Sequence, residues 1–230
     1  NLFLKIHYSR IVKNATKANA LNDQAHGSRP KRQTMDALFL SRLAKDLIRQ
    51  LKINGASMDN DATGCYDRII VSLGLLAARR LGLPEDSART QAEVLQHLRY
   101  AVKTVYGISE ENYQGTILAP LFGTGQGSAA SPAVWLALSV VLLNAFDKLA
   151  DDGFSFRDPW HEFLAKWKVF AFVDDTSLGF VDPTHLQNVE QLTARIERSA
   201  QLWEKLLFIS GGTLNLAKCF WSLQFWEWPK

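Results

Sequence analysis

The chain has 230 residues, nearly half of them hydrophobic, with a formal net charge of +3 and two cysteines. That length and apolar content support one large domain or two small ones, and no run approaches the ~20 uninterrupted apolar residues of a membrane span. Cys65 and Cys219 have neither metal-ligand spacing nor a disulfide framework, which points to a reducing, intracellular setting, nucleus or cytoplasm alike.

The charge is uneven. Residues 1–50 carry ten Lys and Arg against three Asp, a balance of +7, and the remainder balances at −4. A basic amino-terminal region beside an acidic centre suits a protein that holds a polyanion and coordinates cations, and a solvated surface with chance clustering gives the same numbers. Asn1 stands where an initiator Met is expected, which predicts a fragment of a longer polyprotein.

In chain order, the first ~25 residues mix basic and apolar positions and read as irregular or helical. HGSRPKRQT, residues 26–34, is a loop by its Gly, Ser and Pro content. Thr34 reads as a helix N-cap, and Leu38, Leu40, Leu43, Leu47, Ile48 and Leu51 mark the apolar face of a helix ending near Asn54. Gly55 to Asp61 is a short strand. One long helix is predicted from Tyr66 to Leu81 and another from Pro84 to Val105. ENYQGTILAPLF looks extended and precedes a Gly-rich turn. Ser131 and Pro132 open an apolar core helix, since Pro is tolerated where the missing N–H has no partner. A strand pair surrounds Asp174 and Asp175 and stops at Asp182 and Pro183. An amphipathic helix from Thr184 to Leu207 follows, and GGTLNLAKCFWSL closes the chain as a turn and strand. The order is α-rich with separated strands, which predicts an α+β domain.

The pair Asp174–Asp175 interrupts an apolar strand, and burying adjacent carboxylates is costly unless a positive charge joins them. The FVDDTSL stretch reads as a hairpin whose turn presents both acids. Asp61 ends its own candidate strand. If that strand lies beside the hairpin, three carboxylates converge on a site suited to two Mg²⁺ or Mn²⁺ ions about 4 Å apart, as used for nucleotidyl transfer. GTGQGSAASP, residues 123–132, brings backbone close to a ligand and leads into a helix. It lacks the GxGxxG spacing of a dinucleotide fingerprint.

Together these motifs resemble the reverse transcriptase palm of group II intron and non-LTR retroelement enzymes. DATGCYD resembles the first palm motif. GQGSAASP resembles the second, with Gln126, Gly127, Ser131 and Pro132 at its QGxxxSP positions. FVDD, Phe172 to Asp175, resembles the third, and GGTLNLAKC the fourth, with Asn215 and Lys218 at its Asn and Lys. HGSRPKRQTMDAL resembles the fingers motif GFRPGRSTIDAL, with Ser28 in place of the aromatic and Lys31 in place of Gly. The resemblance runs from His26 to Cys219.

The resemblance implies a right-hand palm with a small antiparallel sheet flanked by helices. Residues 1–54 would be partial fingers and residues 55–230 the palm, with no thumb and incomplete fingers strands. It implies an RNA-directed DNA polymerase acting with an RNA template, a DNA or RNA primer and a dNTP, and with the rest of a polyprotein; no membrane is involved. Asp61 and Asp174 would bridge two metal ions with Asp175 assisting, and the Ala62 carbonyl would add a ligand. Tyr66 would be a steric gate against a 2′-hydroxyl, or a core aromatic. Asp67 would fix local structure by hydrogen bonding. Gln126 and Gly127 would contact the nucleotide, and Lys218 would be a general acid for pyrophosphate or a surface Lys near the triphosphate. Arg29, Lys31 and Arg32 would grip template phosphates. Trp221, Trp226 and Trp228 would stack bases or pack on another domain. The rivals are a viral RNA-dependent RNA polymerase, which carries Gly-Asp-Asp where this chain has Val-Asp-Asp, and an inactive nucleic-acid-binding remnant.

Overall fold

β1 (Asn54–Asp61) is the strand on which the rest is assembled. It pairs antiparallel with β7 (Asp175–Asp182) on one side and β8 (Phe220–Gln224) on the other, and β6 (Val169–Phe172) completes a four-stranded antiparallel sheet in the order β6-β7-β1-β8. These features come from a computed structural model of the chain, which describes residues 2–116, 119–125, 127–151, 153–160 and 162–227. The architecture is α+β, with small antiparallel sheets flanked by helices.

Alternation along the strands decides what each face of the sheet meets. Leu178 and Val169 point to the side where α6 (Ser131–Leu149) lies, and Ala56 and Phe180 meet Leu192 and Ile196 of α7 (Val189–Ile209). α6 is long and apolar enough to cross a membrane, but it is a core helix here, burying Val134, Leu136, Leu138, Leu142, Leu143 and Phe146. Phe146 meets Trp203 of α7 edge-on, with ring centroids 5.8 Å apart. Such pairs add ~0.5–1.5 kcal/mol beyond area burial. On the opposite face, Phe170 and Val181 pack with Ala44 and Ile48 of α2 (Thr34–Leu51) and with Phe154 and Phe156. Those phenylalanines belong to β4 (Phe154–Arg157), which forms a two-stranded ribbon with β5 (Leu164–Trp167). This ribbon is not among the elements expected from the sequence.

The amino-terminal residues form a helix, α1 (Leu2–Lys17), and the loop after it is stitched to the sheet. The His26 N–H donates to the Ala171 carbonyl at 2.7 Å, and the Ala171 N–H donates to the Gln24 carbonyl at 2.9 Å, so residues 24–26 extend the sheet beyond β6. Gln33 caps α2 instead of Thr34, because its backbone N–H donates to the Asp36 carboxylate at 2.7 Å. The helix stops at Leu51, where Lys52 turns left-handed with φ 51°.

Two predicted helices are corrected. The one expected from Tyr66 to Leu81 is broken into α3 (Cys65–Arg68) and α4 (Val71–Arg80). At the break, the Tyr66 and Ile69 carbonyls accept the N–H groups of Thr124 and Gly123, and the Ile70 N–H donates to Ser210, so tertiary partners replace intrahelical ones. The helix begun at Pro84 ends early, as α5 (Glu85–Gln96), and an antiparallel hairpin of β2 (Arg99–Thr104) and β3 (Gly107–Gln114) follows. Gly107 has φ 133°, which only glycine adopts readily, and it sits where the ribbon reverses. α7 starts at Val189, five residues beyond the expected Thr184, with Asn188 accepting from the Gln191 N–H.

Asp182 sets that late start. Its carboxylate accepts from the Thr184 hydroxyl at 2.5 Å and from the Thr184 and Gln187 backbone N–H groups at 3.2 Å each, holding the chain in a turn before α7. Burial alone would raise its pKa, but these hydrogen bonds, with Arg195 adding, take it below the ordinary 3.8. A depressed carboxyl stabilises the fold above its unfolded pKa, and that stability disappears as pH falls through the folded value. Asp182→Ala is expected to cost about 1–3 kcal/mol in urea unfolding at pH 7. Asp182→Asn should also flatten the loss of stability between about pH 4 and the folded pKa; an unchanged acid slope would show that the turn is held by other groups.

Candidate active site

The acidic site lies where β1 ends against the β6–β7 hairpin. Asp61 and Asp175 are directly opposite one another in the ladder. By alternation both share the sheet face that carries α2. The hairpin turns in two residues, Val173 and Asp174, between the paired Phe172 and Asp175. Val173 takes φ 57°, as at the first central position of a type II′ turn, the form that matches strand twist. A β-branched residue there is strained. The Ala62 N–H donates to the Asp174 carbonyl at 3.2 Å, so the turn is also bonded to the end of β1.

Lys218 follows from the chain's return to the sheet. The Asn215 N–H donates to the Asp61 carbonyl at 2.9 Å, and a single 3₁₀ turn, Leu216–Lys218, swings the ammonium to 3.3 Å from the Asp61 Oδ2. Lys218 is largely exposed, so the pair stabilises little by itself. Its place beside the carboxylates matters more. The Asp175 carboxyl is raised above 3.8 by desolvation first and then by the charges of Asp174 and Asp61, with Lys218 opposing and Asp59 adding.

Tyr66, on α3, is half-buried against the main core. Burial, with Cys65 and Asp174 nearby, pushes its phenol up to about 12, so the ring presents a neutral hydroxyl. Burial and Asp174 likewise push the Cys65 thiol up to about 12, which makes it a poor nucleophile. Asp67 is exposed, and among the described residues nothing hydrogen-bonds its carboxylate, so the expected local hydrogen bond is not made.

The Gly-rich loop is tied to the same helix. A Cβ on Gly123 would come within 2.6 Å of Asp67 backbone, and its φ of 86° also favours glycine. The Ser131 hydroxyl donates to the Thr124 and Gly125 carbonyls, closing the loop onto the start of α6. Gly127 follows with φ 85°. Gln126 and Trp228 lie outside the described residues. Trp221 is exposed on β8, and the Trp226 backbone N–H donates to the Asn54 side chain.

Arg29 departs from its expected role. Its side chain is 8% exposed, and it donates to the Asn22 and Ala25 carbonyls, so it braces the loop and is not free to grip phosphate. Lys31 and Arg32 are exposed. Lys31 takes φ 62°, the conformation that suits the glycine it replaces in the resembled motif.

Sequence reasoning missed a second charged network. Asp59, two residues before Asp61 and therefore on the same face, accepts from the Lys45 ammonium of α2 at 2.9 Å and from the Ser177 hydroxyl at 2.6 Å. Strand alternation through MDND was the available signal; the Lys45 partner depends on how α2 packs. A groove of about 270 Å³ runs between α2 and the acidic face, lined by Thr34, Leu38, Lys45, Phe172, Asp175 and Lys218.

Among the described residues, no three acidic, His or Cys side chains are already gathered tightly enough to hold a metal ion. The donor chemistry nevertheless fits a hard divalent cation. The groups are carboxylate oxygens, their mutual repulsion is only partly offset, and an ammonium already stands at Asp61 where a cation would relieve it.

No protein-family model matches the sequence, and no curated protein matches it. Solved structures do. An apo telomerase from Candida tropicalis truncated from its C-terminal domain aligns with a TM-score of 0.56 at 12% identity over 96% of this chain and 40% of its own. Telomerase from Candida albicans, in complex with a fragment of telomeric RNA, aligns with a TM-score of 0.55 at 12% identity over 95% of this chain and 35% of its own. A further apo telomerase from Candida tropicalis gives 0.56 at 11% identity over 95% and 36%. The chain spans well under half the length of these telomerases.

Asp175→Asn is expected to raise the melting temperature at neutral pH without divalent metal. A carboxyl whose folded pKa is raised binds more protons folded than unfolded, so its ionisation costs stability as pH rises through that value. Equal melting temperatures for the two proteins from pH 4 to 8 would contradict the destabilised ionised form, to which desolvation contributes most and the neighbouring aspartates add. Lys31→Gly should add about 1 kcal/mol in urea unfolding by relieving the left-handed backbone; no gain would mean the loop absorbs the strain. Across these elements, the chain has an α+β fold of small antiparallel sheets flanked by helices that is similar to the fold of telomerase.

Proposed function

We propose that the chain is the palm and part of the fingers of an RNA-directed DNA polymerase of retroelement type. It adds deoxynucleotides to a primer 3′-hydroxyl, of DNA or RNA, on an RNA template. The observation that carries this reading is the meeting of Asp61 with Asp175 beside the Asp174 turn, with Lys218 and Tyr66 around them, on a fold shared with telomerase. In this reading residues 1–54 are fingers, residues 55–230 are palm, and further segments of a polyprotein supply the thumb and remaining fingers.

Asp61, Asp174 and Asp175 would hold two Mg²⁺ or Mn²⁺ ions. Bound there, such ions supply Lewis acidity at the 3′-hydroxyl and charge neutralisation at the triphosphate. The chain's own groups do the rest. Lys218 releases Asp61 and presents its Nζ proton to the departing pyrophosphate oxygen. Tyr66 sets the face of an uncharged ring beneath the sugar, and a 2′-hydroxyl would collide with it. Gly123 and Thr124, bonded to the carbonyls of Ile69 and Tyr66, hold the Gly-rich loop beside α3, where Gly127 would contact the incoming nucleotide; the contact from Gln126 is carried by the motif resemblance alone. Lys31 and Arg32 meet template phosphates and contribute salt-dependent affinity without reading sequence.

The test is sugar selection by the full-length protein on an RNA template. Deoxynucleotides should be incorporated in preference to ribonucleotides. Tyr66→Ala should lower the ratio of the two kcat/KM values by tenfold or more, the scale of about 1.4 kcal/mol of lost discrimination. A wild-type preference for ribonucleotides would replace this reading with an RNA polymerase. An unchanged ratio in Tyr66→Ala would make Tyr66 a core aromatic only.

A further inference from the structure

The Val173–Asp174 turn is held from two sides by residues with no role in the reaction described above. On one side, Trp135 of α6 donates its indole Nε1–H to the Val173 carbonyl at 2.7 Å. Trp135 is 4% exposed, so this bond is made away from competing water. On the other side lies Gly27, from the loop that extends the sheet beyond β6. A Cβ there would stand 2.5 Å from the Val173 nitrogen and 2.8 Å from its Cγ2, so only glycine lets the loop press against the turn. Between them sits a β-branched residue at φ 57°. Such a residue held left-handed costs of order 1–3 kcal/mol and persists only where its surroundings enforce it.

From this geometry we infer that Trp135 is a positioning residue. Its indole N–H fixes the Val173 carbonyl, keeps the strained turn in its left-handed form, and thereby holds Asp174 at the end of β1. The inference rests on the proposed reading for its link to cation binding, but the clamp itself is independent of metal. Trp135 touches neither substrate nor ion. It acts through Val173, whose peptide leads directly into Asp174. The Asp174 carbonyl in turn accepts the Ala62 N–H, so the exchange of that amide reports whether the turn is in place.

Two variants separate positioning from bulk packing. Trp135→Phe keeps an aromatic ring in the core but removes the indole N–H together with part of the buried ring volume, so the rescue variant carries the distinction. Val173→Gly removes the strain that the clamp opposes, because glycine adopts positive φ freely. In metal-free protein, Trp135→Phe should speed hydrogen exchange at Ala62 about fivefold, the loss of roughly one net hydrogen bond. The amide of Phe180, which lies opposite Ala56 and by the same alternation faces β1, should be unaffected. Adding Val173→Gly to Trp135→Phe should restore slow exchange at Ala62, which a merely structural loss would not allow. Unchanged exchange at Ala62 in Trp135→Phe, or acceleration spread equally over the sheet, would overturn the inference.

The same proteins are then titrated with Mg²⁺ while the melting temperature is followed. Wild type should be stabilised, Trp135→Phe should need several-fold more Mg²⁺ for the same shift, and the double variant should recover. Equal titrations for wild type and Trp135→Phe would break the link from clamp to site. Absence of any Mg²⁺ effect in wild type would remove the polymerase reading, and the Ala62 exchange would still decide the clamp.

Discussion

The antiparallel register of β1 on β7 is the constraint on which the site depends. It sets Asp61 opposite Asp175 and Asp59 opposite Ser177, and it sends Leu178 and Phe180 to the other face, into the core. A slip of one residue would turn the acids into the apolar layer against α6 and α7 and move the leucine and phenylalanine to the face that carries α2. The apolar residues that stabilise the sheet are therefore the same ones that hold the carboxylates in place. Neighbouring elements reinforce that register from outside. The loop after α1 pairs with Ala171 on β6, and β8 pairs with the far side of β1.

The site is electrostatically costly as it stands. Asp59, Asp61, Asp174 and Asp175 lie at one end of the sheet, and the Asp175 carboxyl is raised first by desolvation and then by the charges of Asp174 and Asp61. Two lysines offset part of the cost in different ways. Lys45 is engaged with Asp59 from a packed helix and is partly shielded, so its place is fixed by α2. Lys218 reaches Asp61 from a short turn and is mostly exposed, so it can leave at little cost when a stronger cation arrives. In the proposed reading, fixed charge at Asp59 and exchangeable charge at Asp61 would let the site stand without a divalent ion and still accept one.

Much of this was legible in the sequence because it is local. The strand before Asp61, the hairpin around Asp174 and Asp175, and the apolar helix opened by Ser131 and Pro132 follow from alternation, turn chemistry and proline placement. What was not legible depends on partners far away in the chain. Residues 66–81 are helical by pattern, and the break at Ile69 and Ile70 exists because Gly123, Thr124 and Ser210 supply other hydrogen bonds. Residues 97–105 continue a helical spacing from Pro84, and the β-branched Val102, Thr104 and Val105 with Gly107 decide for a ribbon instead. Arg29 reads as a phosphate ligand by composition, and the carbonyls of Asn22 and Ala25 take it up. The Lys45–Asp59 pair and the Trp135 bond to Val173 both cross between packed layers, where no spacing rule reaches.

Asp61, Asp174 and Asp175 are proposed to form a divalent-cation site. The most direct measurement is a crystal structure of the protein with Mn²⁺ and a non-hydrolysable deoxynucleoside triphosphate, with manganese located by anomalous scattering. Manganese is expected on the carboxylates of Asp61 and Asp174, with the Lys218 ammonium moved away from the Asp61 Oδ2. Manganese elsewhere, with Lys218 still paired to Asp61, would contradict it.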